Sequence, residues 1–366
     1  MSPGFALKAL ITADIHISTV RSLTRDLLIE RYTHLFNELL RVYKENSCDY
    51  MLILGDVFDR NKPNPDEISL FFDLLNILEN NKIKTYITNG NHEATTKTAS
   101  YLDPFESLKY KYITVISRES LQVSPSDGIT WLFWPYSYIK NQRDIREVPL
   151  DDNKNYLFSH ARGGSETFHV SEEYPFDWFK QANLRTVFLG DIHFGHWVQP
   201  GTTVYPGAPL EIKYGSNVTN SVIVYDFDND DCEFFKLDSI PLCVERLDIT
   251  EISEEFVASF KLSGHTKFVI SGSREELDTR AVEIGEMFDD LNEHTPFYIS
   301  VLYVPNKLDV DLVARFDFTR AEEGDEQSYV EVLSLEELDL YLDYIQASQE
   351  ERELITSEYL ELVPRV

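Results

Sequence analysis

The 366-residue chain predicts an α/β fold with a second, smaller α/β domain and a C-terminal helix. Three observations carry this. Over the first two-thirds, short apolar runs alternate with stretches of helical periodicity. Five of the runs end in a short polar cluster. Near residues 239–242 the pattern restarts as a shorter strand–helix alternation. A hydrophobic share of 43% and an aromatic share of 13% supply enough apolar surface for packed cores.

Each element has a local reason. An apolar run at 9–12 is a short buried strand, and 23–43 is a helix with Leu27, Leu28, Leu35, Leu39 and Leu40 on one stripe. A second strand lies at 50–54. NPDE then opens a helix over 66–79, with Pro65 near its first turn. Further strands fall at 84–88, 130–135, 156–159 and 186–189, and runs at 204–206, 221–225 and 233–237 close the first domain. Beyond the boundary come a strand at 244–250, a helix at 254–261, a strand at 266–270, a helix opened by the capping box Ser273–Glu276 and running to about Leu291, and a strand at 296–303. AEEGDEQ at 321–327 reads as an acidic linker. SLEE at 334–337 caps a last helix with Leu335, Leu338, Leu342 and Ile345 on its apolar stripe. The expected domains are 1–240, a small α/β cap at 241–320, a linker at 321–332 and a terminal helix at 333–366.

No apolar run approaches the roughly 18–20 residues of a membrane span, and the N-terminus lacks a signal-peptide pattern. Cys48, Cys232 and Cys243 are scattered and lack metal-site spacing, so free thiols in a cytoplasmic protein are expected. The net charge is −30, of which residues 251–366 hold −19. An acidic total argues against loose binding to polyanions through a basic surface. It does not argue against a nucleic-acid enzyme whose site holds dications, because the charge of the ions must then be counted.

The chemistry lies in the five clusters: ADIH at 13–16, GDVFDR at 55–60, GNHE at 90–93, FSHARGG at 158–164 and GDIHFGH at 190–196. They supply hard carboxylate and amide oxygens and imidazoles, with no thiol. That donor set suits divalent ions, and ligands of α/β sheets collect beyond the carboxyl ends of strands. Two such ions about 3.5–4 Å apart are a standard device for hydrolysing phosphate esters. Asp14 and His16 share one loop; Asp56, after a glycine, can bridge two ions; Asn91 offers an amide oxygen; His160 and His193 offer imidazoles. His92, beside Asn91, is placed to act as a general acid. Asp59 is placed to orient it, or to bond a ligand. A lone histidine or Gly-Asp pair at a strand end is commonly structural; five in this order are not.

The order DIH, GDVFDR, GNHE, SH, G-x-x-H resembles the calcineurin-like metallophosphoesterase superfamily. GDVFDRNKPNPDEI and VYPGAPLEIKYG, at 204–215, are similar to stretches of its SbcD-type double-strand-break-repair nucleases, a family with tailed-phage members. The resemblance covers about residues 8–240. It implies a two-layered β-sandwich flanked by helices. It implies one ion held by Asp14, His16, Asp56 and His193 and a second by Asp56, Asn91, His160 and position 191, with His92 as the catalytic imidazole; Asp59, read above as its orienting partner, is the second catalytic candidate. The ions implied are manganese, with magnesium as the alternative. The implied activity is a duplex-end exonuclease and single-strand endonuclease, acting with an SbcC-type coiled-coil ATPase. The family dimerises near the 66–79 helix, so a homodimer is expected there. Position 191 departs from the family, holding Asp where a histidine is usual. Arg60, Lys62, Lys97 and Arg162 flank the clusters and are candidates for DNA phosphate contacts, with Tyr101 and Trp197 as candidates for base stacking. The competing expectations are a small-phosphoester hydrolase and a weakly active DNA-end scaffold.

Overall fold

The computed structural model describes residues 7–19, 23–96, 98–164, 173–199, 202–215, 218 and 220–305. The chain divides into two compact units, Met1–Pro241 and Leu242–Val366. Lys97, residues 306–320, the linker at 321–332 and the terminal helix at 333–366 lie outside the described residues.

The first unit runs β1 (Lys8–Thr12), α1 (Arg25–Glu45), β2 (Tyr50–Leu54), α2 (Pro65–Asn80), β3 (Lys84–Thr88), α3 (Asp103–Glu106), β4 (Ile113–Ile116), β5 (Leu121–Ser126), β6 (Ile129–Trp134) and α4 (Tyr136–Lys140). It continues with β7 (Lys154–His160), β8 (Arg162–Gly164), β9 (Glu173–Pro175), α5 (Phe176–Gln181), β10 (Thr186–Gly190), β11 (His196–Gln199), β12 (Thr203–Tyr205), β13 (Ser221–Asp226) and β14 (Asp231–Lys236). One six-stranded sheet has the order β14-β13-β1-β2-β3-β4, and the other β11-β12-β10-β7-β6-β5. In the first, β1 to β4 are parallel and β13 and β14 antiparallel. In the second, β6, β7, β10 and β12 are parallel, with antiparallel edges at β5 and β11.

The sheets pack face to face, and the pleat explains how. Successive side chains point to opposite faces. Ile11, Leu52 and Leu54 therefore meet Trp131, Phe133, Phe158 and Phe188 of the other sheet. Their neighbours Leu10, Met51 and Ile53 turn outward onto Tyr32, Leu35, Phe71 and Leu75 of α1 and α2. The second sheet does the same with Leu132, Leu157 and Leu189, which meet Tyr138 and Phe179. Strands buried on both faces must be apolar throughout, which is why the runs read as continuous rather than alternating. The outcome is the β-sandwich flanked by helices that the sequence predicts.

Two capped helices hold the first sheet. Thr24 caps α1. Asn64 and Glu67 form a reciprocal capping box on α2, with Pro65 in its first turn. The second unit, over its described residues, runs β15 (Leu242–Asp248), α6 (Glu254–Ser259), β16 (His265–Gly272), α7 (Arg274–Glu293) and β17 (Ile299–Pro305). Its three strands form one parallel sheet, and Phe268 and Ile270 pack on Ile284 and Phe288 of α7. No described helix is long and apolar enough to cross a membrane.

Candidate metal centre

Five loops that follow parallel strands bring the polar clusters together. Asp14 and His16 follow β1, Asp56 follows β2, Asn91 and His92 follow β3, His160 ends β7, and Asp191 and His193 follow β10. The site therefore draws on both sheets. Four of its residues adopt left-handed backbone: Asp14 (φ 55°), His16 (φ 48°), Asp56 (φ 48°) and Asp191 (φ 90°). Such conformations are costly for non-glycine residues and persist where surrounding structure fixes them, often at functional sites. The Asp56 turn also needs glycines. Gly55 has φ 76°, and a Cβ there would lie 2.5 Å from His160 Nδ1. A Cβ on Gly90 would lie 2.1 Å from Asp56 Oδ1. The spacing of glycines in the clusters reflects this close approach of loops.

Three groups of side chains could hold an ion among the described residues: Asp14, His16 and His193; Asp14, Asp56 and His160; and His16, Asp59 and His92. In the first, His16 Nε2 faces His193 Nε2 at 3.1 Å. Asp14 Oδ1 stands 3.8 Å from each of these nitrogens, and Asp56 Oδ2 is 3.7 Å from His16 Nε2. In the second, His160 Nε2 lies 3.3 Å from Asp56 Oδ2 and 2.9 Å from Asn91 Oδ1. Asp56 thus lies between the two groups. The Asn91 amide can sit either way round: turned over, its NH2 donates to Asp56 at 3.0 and 3.2 Å. With its oxygen inward it faces carboxylate oxygen and imidazole nitrogen, a set of acceptors that a cation would reconcile.

The electrostatics fit a cation as well. Asp14, His16, Asp56 and His160 are buried. Burial pushes the Asp14 carboxyl up. Burial also opposes the charge on Asp56, but His160, His16 and His92 hold it below the usual carboxylate range. Burial lowers His16 to about 3 and also lowers His193, so both imidazoles stay neutral near pH 7 and keep a lone pair. Burial would lower His160 too, yet Asp56 and then Asp14 raise it. His160 Nδ1 lies 2.8 Å from the Leu54 carbonyl. A Nδ1–H donated there leaves Nε2 for an ion, the usual outer-shell arrangement. His16 Nδ1 is buried with no hydrogen-bond partner.

His92 stands at the mouth, with Nε2 3.8 Å from Asp56 Oδ2. Its backbone N–H donates to Asp56 Oδ1 at 2.9 Å. Asp59 meets it through the main chain, since His92 Nδ1 lies 2.6 Å from the Asp59 carbonyl. The Asp59 carboxylate instead faces His16 Nδ1 at 3.8 Å. Asp191 departs from the three groups. Its Oδ2 accepts from Arg162 Nε at 2.6 Å, while Oδ1 is 3.9 Å from His160 Nε2.

The flanking cations are placed differently from one another. Arg60 donates to Glu67 at 2.5 Å, a buried carboxylate that also accepts from the Thr19 and Asn64 N–H groups. Lys62 is exposed. Tyr101 packs edge-on against Phe58, and Trp197 packs on the inter-sheet core. Glu93 has a role that was not read from the sequence. It is fully buried and accepts from Phe58 N–H at 2.7 Å and Gly90 N–H at 2.8 Å, tying the second and third loops together. Its signal was the last letter of GNHE.

Comparisons with known proteins place the family. Residues 7–225 match the calcineurin-like phosphoesterase family, whose members use divalent metals. The chain is 27% identical to the probable exonuclease subunit 1 of Escherichia phage T5, over 66% of this chain and 72% of that one. It is 24% identical to the DNA double-strand break repair protein Mre11 of Nanoarchaeum equitans, over 39% of this chain and 37% of that one. With the family matched over more than half its length, the chain belongs to the calcineurin-like phosphoesterases.

Proposed function

We propose that the protein is a two-metal DNA nuclease of the double-strand-break-repair type, cutting duplex ends and single strands. The observation that carries this is the pair of ligand groups joined by Asp14, with Asp56 Oδ2 within 3.7 Å of His16 and 3.3 Å of His160, in a chain similar to a phage exonuclease subunit. Asp14, His16, Asp56 and His193 would hold one ion. Asp56, Asn91 and His160, with Asp191 beside them, would hold the other. When bound, the ions polarise the scissile phosphate and lower the pKa of water. Manganese is the expected metal, with magnesium as the alternative.

The chain's own residues supply the rest. His92 projects Nε2 into the site while its other nitrogen is fixed on the Asp59 carbonyl. It can therefore deliver a proton from Nε2 to the departing oxygen. Neutral His16 and His193 hold their lone pairs inward. Glu93 holds the loops that carry Asp56 and Asn91. Arg162 and Lys62 are the side chains for DNA phosphates, while Arg60 serves mainly to clamp Glu67.

Three assembly features belong to the same reading. The second unit would contact DNA, and the segment 333–366 would bind an SbcC-type ATPase. A homodimer would form around α2, on which Phe72 is 37% exposed.

The test is cleavage of labelled duplex DNA, single-stranded DNA and a small chromogenic phosphodiester by purified protein with manganese. DNA cleavage abolished by His92→Ala supports the reading. Cleavage of the small ester alone would refute it. No cleavage with or without the ATPase would favour a scaffold.

A further inference from the structure

Asp191 carries an ion pair that reaches from the imidazoles of the candidate metal centre to an exposed cation. Its Oδ2 accepts from Arg162 Nε at 2.6 Å, and its Oδ1 stands 3.9 Å from His160 Nε2. That same His160 nitrogen is 3.3 Å from Asp56 and 2.9 Å from Asn91, the donors expected around the second ion. One carboxylate therefore lies between a guanidinium and an ion site. As arranged, it belongs to none of the three ion-holding groups.

Both partners are fixed at the backbone. The Asp191 N–H donates to both Asp14 oxygens at 3.1 Å. Around Arg162, the Tyr205 hydroxyl accepts from Gly163 N–H at 2.8 Å and donates to the Ala161 carbonyl at 3.2 Å. Gly163 is closed in by Phe176, whose ring would lie 2.1 Å from a Cβ. The Arg162 side chain is 53% exposed and that of Asp191 14% exposed. A planar guanidinium binds carboxylate and phosphate with the same fork geometry, so a phosphate is its natural alternative partner.

We propose that Arg162 and the second metal ion compete for the Asp191 carboxylate, and that a substrate phosphate ends the competition by taking the guanidinium. The second ion is then held weakly in the resting protein and tightly once a phosphate backbone is in place. Linkage makes the effect reciprocal: the nucleic acid tightens the ion by the same factor that the ion tightens the nucleic acid. This rests on the nuclease reading for the source of the phosphate, but the pair itself can be tested without DNA.

The experiment is manganese titration of full-length protein, with free Mn2+ followed by electron paramagnetic resonance. Wild type should show one tighter and one weaker site. R162M should tighten the weaker site on the order of tenfold, the scale on which outer-shell partners act. In a D191N background R162M should change nothing. R162M leaving the weaker site unaltered would overturn the proposal. Equal tightening with and without Asp191 would also overturn it, because removal of a nearby positive charge would then suffice. Melting in chelator checks that the variants fold, and R162Q supplies the same comparison if R162M does not.

A short single-stranded phosphorothioate oligonucleotide is then added, with binding read by fluorescence anisotropy. It should tighten the weaker site of wild type about tenfold and leave R162M unaltered. Binding without tightening would overturn the exchange. Absence of binding would sink the nuclease reading while the manganese titration still decides the pair.

Discussion

At the scale of single residues, the site depends on groups that hold its loops as much as on those that face an ion. Glu93 gives two buried N–H groups their acceptor. Glu93→Ala strands both, at about 1–3 kcal/mol for each unsatisfied donor. The expected result is a lower denaturation midpoint together with weaker manganese binding; a variant as stable as wild type would remove Glu93 from this role. A second prediction concerns acidity. In the metal-free protein His160 is raised above 6.5 because Asp56 and Asp14 outweigh its burial, and burial raises Asp14 as well. Ligands must be deprotonated to bind. Manganese affinity should therefore fall as pH drops through and below the raised His160 value, and binding near neutral pH should release protons measurable by calorimetry in buffers of different ionisation enthalpy. His16, lowered to about 3 by burial, adds nothing to that release. The ligand types were legible in the sequence because each stands at a strand end. The pairing of Asp191 with Arg162 and the main-chain contact of Asp59 were not legible, because both depend on side-chain directions that spacing does not specify.

At the scale of elements, the buried parallel strands, the capped helix α2 and the edge strand β14 were legible, and the edges β4, β5 and β11 were not. The strands at 9–12, 50–54, 84–88 and 186–189 correspond to β1, β2, β3 and β10; all but β3, which begins at exposed Lys84, are apolar runs covered on both faces. β4 has only four residues, ITVI, too few to establish a pattern. β5 contains Pro125 and alternates in burial at a sheet edge, where a missing N–H is tolerated. The sequence of α2 reads as too apolar for one buried stripe, and the structure accounts for most of it. Leu70, Phe71, Leu74, Leu75 and Leu78 enter the core beneath the first sheet, whereas Phe72 remains 37% exposed. The apolar surface left for a partner on α2 is thus small and centred on Phe72. Phe72→Glu should leave the fold intact and, if this face joins two copies, give monomers by light scattering; a dimer that survives the change would place the interface elsewhere.

At the scale of the whole first unit, the site exists only while the two sheets keep their register, since Asp14, Asp56 and Asn91 come from one and His160, Asp191 and His193 from the other. The large aromatic core between them resists separation but is poorly directional. A polar clasp at the far ends of the strands supplies direction. Asp230, in the turn between β13 and β14 of the first sheet, accepts from the Tyr156 hydroxyl, from Lys154 Nζ at 3.1 Å and from Arg185 at 3.0 Å. Lys154 and Tyr156 begin β7, and Arg185 immediately precedes β10, the strands that carry His160 and Asp191 to the site. Burial opposes the Asp230 charge, but the hydrogen bonds from Tyr156, Lys154 and Arg185 outweigh it and hold the carboxyl below 3.8. A carboxyl lowered in the folded state contributes stability that is fully present above its unfolded value and is lost as pH falls through the folded one. Asp230→Asn should therefore cost about 1–3 kcal/mol at neutral pH, the scale of hydrogen bonds to a charged group. The gap to wild type should stay constant from pH 8 to about 5 and close as the pH falls below about 4. Urea denaturation of both proteins in chelator across that range measures it, and a gap that does not narrow in acid would show that the clasp acts without the charge. Loosened register would also weaken manganese binding at the opposite end of the strands, although no ligand has been touched.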